Sequence, residues 1–191
     1  MSRRLCIAFV IVLAGVALAR ATDAEELAVP AKLQAELLGK VAGYDKNLAA
    51  RAGDKVHVLV VVKAGDESSA STGGHIEREL RALPDIGGLP HDEATTGWSG
   101  PEALAKTIAQ SRISIVYLTP GMRDDVEPIA RALANVKVLS VGAFGDYVPR
   151  GAVLGFDLVS GKPKLAVNLP QAKKQGVEFR AEVLKLMKVY E

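Results

Sequence analysis

The stretch from Gly151 to Glu191, GAVLGFDLVSGKPKLAVNLPQAKKQGVEFRAEVLKLMKVYE, constrains the fold more than any other part of the chain. Leu154, Phe156 and Leu158 alternate with small or polar residues, Ser160-Gly161 supplies turn chemistry, and Leu165 and Val167 resume the alternation before Asn168. That is the pattern of two paired strands. Phe179, Val183, Leu186, Met187 and Tyr190 then recur at helical spacing. They predict a closing helix with one face on the sheet, with Lys185 and Lys188 near its negative end. Pro163 cannot donate to a ladder, so its strand belongs at an edge.

Three short apolar runs precede this hairpin: Val56 to Val62, Ile113 to Leu118 and Val136 to Val141. Without alternation, they read as strands buried on both faces. Helical patterns separate them, at Ile76 to Leu83, Pro101 to Ser111 and Asp124 to Ala134. Ser99 is placed to cap the middle helix, with Pro101 in its first turn and Glu102 completing a capping box. A weaker strand pattern covers Leu89 to Thr95. Ahead of all these, Leu33, Leu37, Val41, Tyr44 and Leu48 mark an amphipathic helix ended by Gly53. The expected fold is α/β: a single-domain three-layer sandwich with a mostly parallel sheet, extended by the antiparallel hairpin and closing helix.

The amino terminus predicts export. Arg3 and Arg4 precede an uncharged apolar run from Leu5 to Leu18, followed by Ala19-Arg20-Ala21. This is the form of a secretory signal peptide over 1–21, because a membrane span needs about 20 apolar residues. Residues 22–29 then form a flexible lead-in, and 30–191 the single domain. Cleavage removes Cys6, the only cysteine, so the mature chain has no disulfide framework and no thiol nucleophile. It also removes Arg3, Arg4 and Arg20, leaving 21 basic against 22 acidic residues. A balance near neutrality and few aromatic residues give no support for nucleic-acid binding.

In parallel sheets, ligands sit beyond the carboxyl ends of the strands. The predicted loops there contain Ser71, Thr72, Gly73 and Gly74 after the first strand, and Thr119 and Arg123 after the second. A small anion could meet backbone amides at the helix start and the Arg123 guanidinium. The flexible connecting loop and a surface ion pair are the plainer readings. Neither a phosphate-binding nor a dinucleotide-binding glycine motif is present. Trp98 is either a hydrophobic staple for the helix at Pro101 or an exposed partner anchor, and Phe144 and Tyr147 pose the same choice. No histidine pair has helical metal-ligand spacing, and His91-Asp92-Glu93 reads as a solvated loop. With no nucleophile-elbow motif either, neither catalysis, a metal nor a cofactor is expected.

The order Ile113-Ser-Ile-Val-Tyr-Leu118, Val138-Leu-Ser-Val-Gly142, Gly151-Ala-Val-Leu-Gly-Phe156, Leu165-Ala-Val-Asn168-Leu and Leu184-Lys-Leu186, behind a signal peptide and opening helix, resembles the YfiR family of exported proteins. The resemblance implies a non-catalytic periplasmic α/β domain. It further implies restraint of an inner-membrane signalling protein, a diguanylate cyclase or sensor kinase, through that protein's periplasmic region, with cyclic-di-GMP output and biofilm formation as the consequence. Some members carry disulfides, which this mature chain cannot form. The surfaces available for such a contact are the opening helix, with Tyr44, and the aromatic positions Trp98, Phe144 and Tyr147. A single-lobe periplasmic small-molecule binding protein is the alternative, and an edge strand also permits a homodimer.

Overall fold

The apolar runs form the centre of the sheet in this computed structural model, which describes residues 26–191. β1 (Val56–Val62), β3 (Ile115–Leu118) and β4 (Leu139–Gly142) lie parallel to one another. Every residue of β3 and β4 is buried, which is why neither run alternates. The weak strand pattern becomes β2 (His91–Gly97), a polar edge strand parallel to β1. β5 (Leu154–Val159) joins β4 in parallel and pairs antiparallel with β6 (Lys162–Asn168). The full order is β2-β1-β3-β4-β5-β6-β7, where β7 is Lys188–Tyr190.

Four helices fill the connections before the hairpin: α1 (Ala31–Ala42), α3 (Glu67–Arg81), α4 (Pro101–Gln110) and α5 (Val126–Ala132), with α2 (Leu48–Ala52) a short turn before β1. α1 packs on α3, and α4 packs on α5. These two pairs cover opposite sides of the sheet. The three-layer arrangement and the antiparallel hairpin are those expected from the sequence.

Several elements depart from expectation, each for a local reason. The opening helix is broken after Ala42, because Asp45 folds its carboxylate back to accept from the backbone N–H groups of Asn47 at 3.0 Å and Glu178 at 2.9 Å. Its buried face is Gln34, Ala35, Leu38, Val41 and Ala42, one position out of step with the predicted stripe. The segment from Glu67 to Gly74, read as a flexible loop, is the first half of α3. Asp66 caps it by accepting from the Ser69 N–H at 2.9 Å. α4 is capped at Gly100, not by the Ser99 side chain.

The closing helix is also divided. α6 (Leu169–Lys174) starts from the Asn168 side chain, which accepts from Gln171 N–H at 2.8 Å, and the chain then turns through Gly176 at φ 66°. After the single turn of α7 (Ala181–Leu184), the chain becomes β7 beside Ala166–Asn168 of β6. Pro163 lies beyond the reach of β7, at a free edge. Residues 1–25, with the predicted signal peptide and the first half of the lead-in, lie outside the described residues. The end of the lead-in is packed against the domain: Val29 is 1% exposed and belongs to the core.

Candidate functional site

The strand order switches direction between β1 and β3, which makes their carboxyl ends the natural place for a site. Lys63 follows β1 and forms an ion pair with Asp125, just before α5. The other oxygen of Asp125 accepts from Trp98 Nε1 at 3.0 Å. Asp125 sits at the cap position of α5 but makes no cap bond, because its carboxylate is turned toward these two donors. Below this pair, Ser69 Oγ and Thr119 Oγ1 lie 2.6 Å apart, and Thr119 Oγ1 donates to the Val61 carbonyl at 2.8 Å.

The aromatic loop closes the same end of the sheet. Tyr147 is 0% exposed; its hydroxyl donates to the Thr119 carbonyl at 3.2 Å and accepts from Met122 N–H at 3.1 Å. Phe144 packs edge-on against it at 5.6 Å between centroids. Arg123 pairs with Asp146. Each cation at this end therefore has an acidic partner.

The residues singled out in the sequence are thus distributed by burial. Thr119 is a fully buried structural hydroxyl. Gly73 faces inward, where a Cβ would fall 2.5 Å from Val62 Cγ1, while Ser71 and Gly74 are on the exposed side of α3 and Thr72 is half-buried. α3 therefore turns these four positions in different directions, and they do not form one cradle with Thr119 and Arg123. Phe144 and Tyr147 are core residues, and Trp98 packs against the core as a staple would. Tyr44 alone among the four aromatic positions is exposed, at 42%. It lines an open groove of ≈ 750 Å³ with Glu36, Lys40, Asp85 and Arg180.

The histidines stand apart from this end. At the β1–β2 edge, His57 Nδ1 lies 2.6 Å from Asp92, which also pairs with Lys55 at 2.8 Å. Burial pushes the Asp92 carboxyl up, but the hydrogen bonds and charges of Lys55 and His57 outweigh it and hold the group below its ordinary value. His91 and Glu93 pair on the opposite face of β2, as strand alternation requires. The sequence reading of 91–93 as a solvated loop is therefore replaced by an edge strand whose side chains divide between two faces. Among the described residues, no group of three His, Cys, Asp or Glu side chains could hold a metal ion.

The architecture defines a doubly wound α/β domain carrying a terminal hairpin. Residues 101–188, from α4 to β7, match the YfiR/HmsC-like family (DUF4154). The resemblance read in the sequence is to this same family. No curated protein matches the chain. Among solved structures, a conserved domain protein from Vibrio cholerae O1 biovar eltor is similar at 17% identity and a TM-score of 0.60, covering 85% of this chain and 60% of that one. The ABC domain in complex with L-Trp from Streptococcus pneumonia is similar at 12% identity and a TM-score of 0.60, covering 84% and 62%. A ligand-free, open substrate-binding protein with adhesive properties from Clostridium difficile is similar at 11% identity and 0.57, covering 76% and 58%. The chain spans about three fifths of the length of each. At these identities the likeness is one of fold. No helix among the described residues is long and apolar enough to cross a membrane.

Proposed function

We propose that the chain is a non-catalytic periplasmic regulator that binds the periplasmic region of an inner-membrane signalling protein, a diguanylate cyclase, and restrains cyclic-di-GMP output. The observation that carries this reading is the family match over 101–188, which takes in β3, β4, the hairpin and the closing segment. The closed, charge-paired strand ends support it, since they offer regulation by contact more than chemistry in a pocket. A regulator of this kind acts by binding one state of its partner more tightly than the other, and a strong shift needs a preference of about 5 kcal/mol. Exposed apolar side chains are the natural source of such a preference. Tyr44, at 42% exposure, and Leu186, at 68%, are the side chains best placed to make that contact. The Tyr44 carbonyl also accepts from Arg180 N–H at 2.9 Å, which ties the opening helix to the segment leading into α7.

Crosslinking capture of the tagged mature chain in intact envelopes tests the proposal. A membrane cyclase should be trapped, and Tyr44→Arg or Leu186→Asp should lower its yield and raise cellular cyclic-di-GMP while the circular dichroism spectrum stays unchanged. Full capture with both variants would discard this surface. No membrane signalling protein captured, with the bait folded and abundant, would discard the regulator.

A further inference from the structure

At the opposite end of the sheet, where the strands begin, an open cleft of ≈ 520 Å³ lies between the ends of α2 and α4, the start of β3 and the turn into β4. Three cations line it, Arg51, Arg112 and Lys137, and no acid does. Its apolar wall is Ile108, Ile113 and Val136. Arg51 is held rigidly. Its side chain is 3% exposed, Nε donates to the Ser114 carbonyl at 3.1 Å and Nη2 meets Asp45 at 2.7 Å, while Nη1 is buried with no hydrogen-bond partner among the described residues. Asp45 answers the charge of Arg51. Arg112 and Lys137 have no ion-pair partner among the described residues, so the cleft keeps a positive excess.

The backbone adds an independent observation. Arg112 stands at φ 52°, just after the last turn of α4, where Ile113 N–H reaches back to the Ile108 carbonyl at 3.1 Å. This is the left-handed helix-ending position that glycine normally takes, because a Cβ is strained there. Asn135, also lining the cleft, stands at φ 74°. Arginine needs only proximity to complement a helix end; it does not need the one strained residue of the turn. Strained side-chain-bearing residues concentrate where a site requires them.

We infer that this cleft binds a small carboxylate with an aromatic or branched apolar body. The carboxylate lies between Arg112 and Lys137, the first offering a planar pair of donors and the second a point charge. The apolar body rests on Ile108, Ile113 and Val136. This site is remote from the strand-end loops and does not depend on the regulator reading.

Thermal unfolding and calorimetry of the purified mature chain, with benzoate and its neutral isostere benzamide as probes, test the inference. Benzoate should raise the melting temperature saturably and benzamide should not. Arg112→Gly should raise the melting temperature of the free protein, because it relieves the left-handed strain, and should abolish the benzoate response. Lys137→Ala should weaken benzoate binding several-fold with the free protein's melting temperature unchanged. Equal responses to the two probes, no saturable response to benzoate at millimolar concentration, or a full response in Arg112→Gly would each overturn the site.

Discussion

Gln34 joins three parts of the fold through one amide. Its Nε2 donates to the Val29 carbonyl at 2.8 Å and the Ala143 carbonyl at 3.2 Å, and its Oε1 accepts from the Tyr117 hydroxyl at 2.6 Å. Both side chains are about 1% exposed, so each polar atom needs its partner. Burial pushes the Tyr117 hydroxyl well above its ordinary value, with Tyr147 adding to the shift. Tyr117→Phe leaves the Gln34 oxygen without this donor, and should cost about 1–3 kcal/mol at neutral pH. The pH dependence has a definite sign. The folded pKa is raised, so stability is fully present below the unfolded value of about 10 and falls as pH rises toward the folded value. The variant lacks this loss. Urea midpoints for the two proteins should therefore converge between neutral pH and about pH 11. Gln34 was not legible in the sequence: a polar residue beside Leu33 reads as solvent-facing until the break after Ala42 shifts the buried face by one position.

Two adjacent glycines in α3 show what an element's pattern conceals. Gly73 approaches β1 so closely that a Cβ would meet Val62 Cγ1 at 2.5 Å, whereas a Cβ on Gly74 would meet nothing within 4 Å. Gly73→Ala should push α3 off the sheet and cost about 1–3 kcal/mol. Gly74→Ala should stabilise by about 0.4–1 kcal/mol, by restricting the unfolded chain. Opposite shifts of the denaturation midpoint would establish the packing. Loss of stability in both would mean that α3 is not seated as described. The central strands of this domain were readable because aliphatic residues dominate each buried run. The Ser-rich start of α3 was not, because serine and glycine favour loops when nothing packs on them. Here Asp66 caps the segment, Ser69 bonds Lys63 N–H at 2.7 Å, and Gly73 meets β1. The closing segment fails the helical reading for a similar reason. Phe179, Val183 and Met187 keep their spacing and are buried. Residues 188–190 find a better partner in the free edge of β6.

At the scale of the whole domain, the two ends of the sheet carry opposite electrostatic situations. At the carboxyl ends of the strands, Lys63 with Asp125 and Arg123 with Asp146 cancel one another. At the amino ends, Arg112 and Lys137 face an open cleft. The sequence placed Thr119 and Arg123 at the first end correctly, from strand polarity alone. It gave no sign of the second, which is assembled from three separate connections. Trp98 is the only tryptophan, and its indole N–H is bonded to Asp125, so its emission reports the closed end by itself. Lys63→Met removes the cation from Asp125, whose side chain is 20% exposed. The pair is partly screened by solvent, so the loss should be about 1 kcal/mol, with a shift in Trp98 emission as the carboxylate reorients toward water. Benzoate at the other end should raise the melting temperature of both wild type and Lys63→Met by the same amount and leave the Trp98 spectrum in place. Fluorescence-detected melting of the two proteins with and without benzoate measures all of these quantities together. A benzoate-induced shift of Trp98 would mean that the two ends are coupled through the sheet, and that the charge-paired loops respond to occupancy of the cleft.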